Sequence, residues 1–120
     1  MDRKKELKLA YKETPPPMGV YQIKNTVNGK ILVGSGMNLP GKHNSCLFQL
    51  KINRHPNAEL QADWNTAGPT AFTFEILETL KYQELPESQW RKAIAELEDK
   101  WLAKLSPYGD KGYNKLKLKN

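Results

Sequence analysis

The stretch Met18-Gly19-Val20-Tyr21-Gln22-Ile23-Lys24-Asn25-Thr26-Val27-Asn28-Gly29-Lys30-Ile31-Leu32-Val33-Gly34-Ser35-Gly36 reads as strand, turn, strand. Val20, Tyr21 and Ile23 on one side, and Ile31, Leu32 and Val33 on the other, are strand formers. Asn28-Gly29 between them favours positive φ and a tight reversal. A two-residue loop would pair Ile23 with Gly34, and a four-residue loop would shift the pairing by two. Side chains alternate along a strand, so either register puts Tyr21 and position 32 on the same face.

The chain has 120 residues, which sets the expectation of one domain with a modest core. It has no apolar run long enough to span a membrane and no secretory-type apolar stretch after its charged start. A single cysteine, Cys46, excludes an internal disulfide and a multi-cysteine zinc site, and fits a reducing cytoplasm. The net charge is +6, and residues 1–60 hold ten Lys/Arg against four Asp/Glu, while residues 61–120 hold nine of each. The excess in the first half suits a polyanion such as nucleic acid. It equally suits a solubilising surface, because sixteen lysines against three arginines is weak for specific phosphate recognition.

Working outward from the hairpin, residues 1–17 form a basic leader with a short helical pattern around Leu7, Leu9, Ala10 and Tyr11. Pro15-Pro16-Pro17 ends that pattern. Asn38 is placed to cap a helix over 39–53, whose Leu47, Phe48, Leu50 and Ile52 suggest partial burial. Asn57 is placed to cap a second helix to about Thr66. Phe72, Phe74 and Ile76 alternate with polar residues as a third strand. A long helix is predicted over roughly 87–105, closed by Ser106-Pro107. The tail, 115–120, alternates Lys and Leu as an edge strand or a frayed end. Cys46 and the tryptophans Trp64, Trp90 and Trp101 read as core residues.

The long helix carries one discordant residue. Trp90, Ile94, Leu97, Trp101, Leu102 and Leu105 form an apolar arc, and Glu98 falls inside it. A carboxylate there needs a cation, a donor or a metal, unless it reaches water from the arc's edge. The wheel leaves both readings open.

The run Gly19-Val20-Tyr21, then Leu32-Val33-Gly34, Leu97-Glu98-Asp99-Lys100-Trp101-Leu102 and Gly112-Tyr113-Asn114, in that order and spacing, resembles the GIY-YIG nuclease superfamily. The segments 57–64 and 72–77 also resemble family members, so the likeness extends from Met18 to Asn114. It implies an α/β (α+β) fold, a small three-stranded, mainly antiparallel sheet flanked by helices, over 18–114. It implies metal-dependent hydrolysis of phosphodiesters, with DNA expected before RNA as partner. In that resemblance Glu98 is the metal ligand for a single Mg²⁺ or Mn²⁺, and Tyr21 accepts or relays a proton from the attacking water. Tyrosine ordinarily titrates near 10, so that role needs a nearby positive charge or the metal's water. Asn114 braces the site or bonds the Tyr21 strand. Hairpin parity and helix phase together predict that Tyr21, Leu32 and Glu98 converge on one side of the sheet.

Two positions depart from the family pattern. Leu32 stands in place of the second tyrosine, which removes a hydroxyl. The family's phosphate-clamping arginine transfers onto Lys42, a point charge without the bidentate fork. His43 and Arg54 are the nearby substitutes, His43 as base or phosphate donor, or else as a surface histidine. Arg54 is expected at the helix end. The alternative to an endonuclease is a degenerate domain that binds nucleic acid or a protein partner without cleavage. A basic regulator contacting partners through its leader is a further reading.

Overall fold

A computed structural model describes residues 16–115. The leader helix suggested around Leu7 and the tail beyond residue 115 lie outside the described residues. Six main elements follow in order: β1 (Gly19–Asn25), β2 (Ile31–Gly36), α1 (Leu39–Lys51), α2 (Ala58–Ala67), β3 (Phe72–Thr79) and α3 (Trp90–Leu105). The sheet is antiparallel throughout, in the order β2-β1-β3.

The hairpin closes with a four-residue loop, because Tyr21 pairs with Gly34 and Ile23 with Leu32. The Asn25 amide donates to the Lys30 carbonyl, and Gly29 alone in the loop takes positive φ, at 79°. Gly19 holds φ 153°, and a Cβ there would run into the Glu78 carbonyl of β3. Only glycine fits both demands. The asparagines cap as the sequence suggests. The Asn38 Oδ1 accepts from the Gly41 amide at 3.0 Å, and the Asn57 Oδ1 accepts from the Leu60 amide at 3.0 Å. A 3₁₀ turn over Glu87–Gln89 leads into α3, so that the α-helix starts at Trp90, three residues later than expected. Ser106 ends it in the left-handed region, φ 44°.

One sheet face packs on α1 and α2. Its core joins Ile23, Cys46, Leu50, Leu60, Trp64 and Tyr113, with Tyr21, Leu32, Phe72 and Phe74 against them. Cys46 and Trp64 are therefore core residues. Phe48 and Ile52 are not, at 62 % and 44 % exposed, because α1 turns Leu39, Cys46 and Leu50 inward instead. The other face carries the buried Val20 and Val33 and is crossed by α3. The Trp101 indole donates to Glu78, whose strand partner is Val20, at 2.8 Å.

The segment after α3 returns along the outer edge of β2. Gly112 bridges Ile31, the Tyr113 amide donates to the Ile31 carbonyl, and the Asn114 side chain both accepts from and donates to the Val33 backbone, each at 2.8 Å. This covers part of an edge that would otherwise present unpaired backbone groups.

Candidate active site

Tyr21 leaves the sheet on the α1/α2 side. Its ring stacks on Phe74, with centroids 4.9 Å apart. Its hydroxyl lies over Gly34, where a Cβ would stand 2.5 Å from that oxygen, so only a residue without a side chain fits beneath it. Among the described residues that hydroxyl has no hydrogen-bond partner. Burial, then the charges of Cys46 and Glu98, push its pKa up to about 12. Its surroundings thus hold the proton on the phenol. A role as base therefore needs positive charge brought by a bound metal or a neighbouring cation.

Glu98 lies half-buried on α3, close enough to the Tyr21 hydroxyl for its charge to help raise that pKa. Tyr21 and Leu32 both pack against the α1/α2 core, α3 itself packs against the Val20–Glu78 pair, and the charge of Glu98 still reaches Tyr21. The chain passes from β3 to α3 over the face that carries Val20 and Val33, and the phase of a helix does not reveal that choice. Tyr21 and Glu98 both meet the end of β2, Tyr21 at Gly34 and Glu98 in a groove with Ser35 and Gly36. Small residues make the sheet thin at this point.

On the α3 side, a groove of about 400 Å³ is lined by Ser35, Gly36 and Met37, by Lys42 from the first turn of α1, and by Arg91, Ile94, Ala95 and Glu98 along α3. The stem of Lys42 lies against Gly36, where a Cβ would stand 2.8 Å from its Cγ. None of Lys42, Arg91 and Glu98 is ion-paired among the described residues, whereas Lys30–Glu59, Lys81–Glu84 and Lys100–Glu78 are paired elsewhere on the surface.

His43 is not part of this groove. It stacks on Phe74 at 4.2 Å and lines a small, mainly apolar cavity with Cys46, Leu50 and Trp64. Successive helical residues are rotated by about 100°, which turns His43 away from Lys42. Cys46 in that cavity has its thiol pushed up to about 11 by burial, which leaves it protonated and unreactive. Arg54 sits just past the end of α1, its amide bonded to the Gln49 carbonyl, and does not line the groove. Asn114 braces β2, the neighbour of the Tyr21 strand, through its two bonds to Val33.

Sequence reasoning passed over Arg91. Its signal was present: Arg91, Ile94, Ala95 and Glu98 recur at the helical spacing of one face. It also passed over a polar cluster at the turn end of the hairpin. There the Tyr113 hydroxyl donates to Asp63 at 2.6 Å and accepts from the buried Asn25 at 3.1 Å.

As to a metal, Glu98 offers one carboxylate without a competing cation, in an open groove beside Lys42. Among the described residues there is no cluster of three or more His, Cys, Asp or Glu. This donor set fits an ion such as Mg²⁺, which one or two carboxylates hold together with substrate phosphates. It does not fit a cage made by protein alone.

No protein-family model matches the chain. Over 96 residues, 80 % of its length, it is 32 % identical to intron-associated endonuclease 1 of enterobacteria phage T4, and it spans 36 % of that protein. Its fold superposes on the catalytic domain of homing endonuclease I-TevI with a TM-score of 0.69 and 31 % identity, covering 83 % of this chain and 99 % of that domain. A glutamate-to-alanine variant of the I-TevI catalytic domain superposes with a TM-score of 0.68, also at 31 % identity, covering 82 % of this chain and 92 % of the other. Both sequence and fold thus match a catalytic domain of nuclease type. The chain belongs to the GIY-YIG nuclease superfamily. Among the described residues no helix is long and apolar enough to cross a membrane.

Proposed function

We propose that this chain is a metal-dependent endonuclease that hydrolyses DNA phosphodiester bonds at the groove beside β2. The observation that carries the reading is the groove itself: Lys42 and Glu98, neither ion-paired among the described residues, face one open space at the thin end of the sheet. The relatives are endonucleases by name, and their activity comes to this chain as part of the same proposal. Glu98 is the protein ligand of the metal, Mg²⁺ or Mn²⁺. When bound, the metal supplies positive charge to the phosphate oxygens as negative charge builds there. Lys42 neutralises a phosphate oxygen as a point charge. Tyr21 keeps its proton at neutral pH, so it serves as a hydrogen-bond donor to water or phosphate at the β2 end. In the reaction the water oxygen bonds to phosphorus, one ester P–O bond breaks, the water gives up a proton to solvent, and the departing alkoxide takes up a proton from solvent to leave as the alcohol. Asn114 acts by holding β2 in place.

The test is incubation of supercoiled plasmid with Mg²⁺, Mn²⁺ or chelator, with Glu98→Gln alongside. Metal-dependent nicking, lost in Glu98→Gln, is the expected result. One observation favours the binding-only alternative: Leu32 packs into the core and brings no hydroxyl. Plasmid bound but left intact at any metal concentration, both by wild type and by Leu32→Tyr combined with Lys42→Arg, would decide for that alternative.

A further inference from the structure

We propose that Arg91 supplies the guanidinium that grips the DNA phosphate, from α3 and not from the helix after the hairpin. The proposal rests on the endonuclease reading and assigns a further residue to the same groove. Lys42 brings charge without a fork, so a planar, bidentate donor has to come from elsewhere. Of the three arginines, Arg3 lies outside the described residues and Arg54 lies past the end of α1, away from the groove. Arg91 lines the groove, is exposed, and has no ion-pair partner among the described residues.

Electrostatics sharpen the point. Arg91 stands in the first turn of α3, behind a 3₁₀ turn that carries Glu87 without an ion pair to it, and Lys42 stands in the first turn of α1, which contains no acidic residue. The first turn is the positive end of a helix, where a cation is disfavoured. No ion pair neutralises either charge among the described residues, and an anion lying between them would. Along α3, Arg91 and Glu98 are seven residues apart, about 10 Å of helix rise. No ion pair joins them among the described residues, so both remain open to a phosphate and a hydrated cation in the groove. Arg91 is therefore assigned to the phosphate and Glu98 to the metal.

The experiment measures DNA affinity as a function of salt without divalent metal, and single-turnover nicking with Mn²⁺, for wild type, Arg91→Gln, Arg91→Lys and Lys92→Gln. Lys92 lies next in sequence but lines a different hollow with Leu85, Gln89 and Glu96, so Lys92→Gln reports the loss of one unit of general charge. Removing a phosphate contact should lower the slope of log affinity against log salt by about 1 in Arg91→Gln, and by less in Lys92→Gln. Arg91→Lys should keep most of that slope yet nick about 10-fold slower, and Lys42→Arg in the Arg91→Lys background should recover part of the loss. Melting curves check that the variants are folded. Equal slopes for Arg91→Gln and Lys92→Gln, with wild-type nicking in Arg91→Lys, would overturn the role of Arg91 and leave the endonuclease reading standing. Binding that depends on Arg91 without any nicking by wild type would remove the endonuclease reading and keep the phosphate contact. Neither binding nor nicking by wild type would remove both.

Discussion

The two ends of the hairpin are built on opposite terms, and two tyrosines show it. At the turn end, Tyr113 is buried. Its hydroxyl donates to Asp63 and accepts from Asn25, and the Lys30 ammonium stands 5.6 Å from its ring centre and pairs with Glu59. Each of these side chains has a partner within the cluster. At the open end, Tyr21 has no hydrogen bond from its hydroxyl among the described residues, and Lys42, Arg91 and Glu98 face a groove without pairing. Buried polar groups left without partners cost about 1–3 kcal/mol each, so a chain keeps them paired where stability is what matters. Groups left open at a concave surface are available to a ligand. The turn end holds the fold, and the open end is where chemistry is expected.

Glu98→Gln is the sharpest way to separate the two ends. It should lower nicking by about 10²–10³-fold, the usual scale for losing one transition-state charge contact. The melting temperature should barely move, because Glu98 forms no ion pair among the described residues. Single-turnover nicking and a thermal melt on the same preparation check both halves. A large drop in melting temperature would mean that Glu98 belongs with the structural end.

Tyr113→Phe makes the opposite cut. The Asn25 side-chain amide, in a residue only 2 % exposed, loses its acceptor, and Asp63 loses a donor. A cost of about 1–3 kcal/mol in urea unfolding is expected, with nicking by the folded protein changed only a few-fold. Tyr21→Phe should do the reverse, leaving stability at neutral pH nearly unchanged and slowing nicking.

Alkaline pH compares the same two residues. Burial is the main cause of a raised pKa in both, each pushed up to about 12, with hydrogen bonding to Asp63 adding to it in Tyr113. Unfolded tyrosine loses its proton near 10, and the folded protein keeps it longer. Between pH 10 and 12 the folded state binds more protons, so stability that is complete below pH 10 falls as pH rises. Either Phe variant should flatten that decline in a pH series of urea melts. A slope unchanged in both variants would show that neither phenol is held protonated by the fold.

How much of this was legible beforehand follows from the range of each signal. Strand parity is a period-two rule, and it placed Tyr21 and Leu32 on one face whatever the loop length. Asn38 and Asn57 were legible as caps because capping acts within three residues. The side of the sheet on which α3 packs is a property of the connection after β3. Helix phase is silent on it, so the side from which α3 brings Glu98 to the end of β2 was not legible. His43 was grouped with Lys42 through adjacency in sequence, although one step along a helix is a turn of about 100°. The Tyr113 cluster joins residues separated by 50 and 88 positions, which no local pattern connects. Asn114 was readable as a brace, but not that it would take the place of a strand residue against Val33.

The two caps provide the smallest test, because one belongs to each end. Asn38 starts the helix that presents Lys42, and its side chain makes one capping bond, to Gly41. Asn57 caps Leu60 and also donates to the Tyr113 carbonyl at 2.8 Å, tying α2 to the segment that borders β2. Asn38→Ala should cost about 1 kcal/mol, the ordinary price of a lost cap. Asn57→Ala should cost more, by roughly the 0.5–1.5 kcal/mol of a second hydrogen bond. Their effects on nicking should rank the other way. Fraying the first turn of α1 loosens Lys42 beside Gly36, whereas α2 supplies no residue to the groove. Urea melts and nicking rates for the two variants check the crossing. If Asn57→Ala proved the more damaging on both measures, the separation between a structural end and a chemical end would not extend to the helices that flank them.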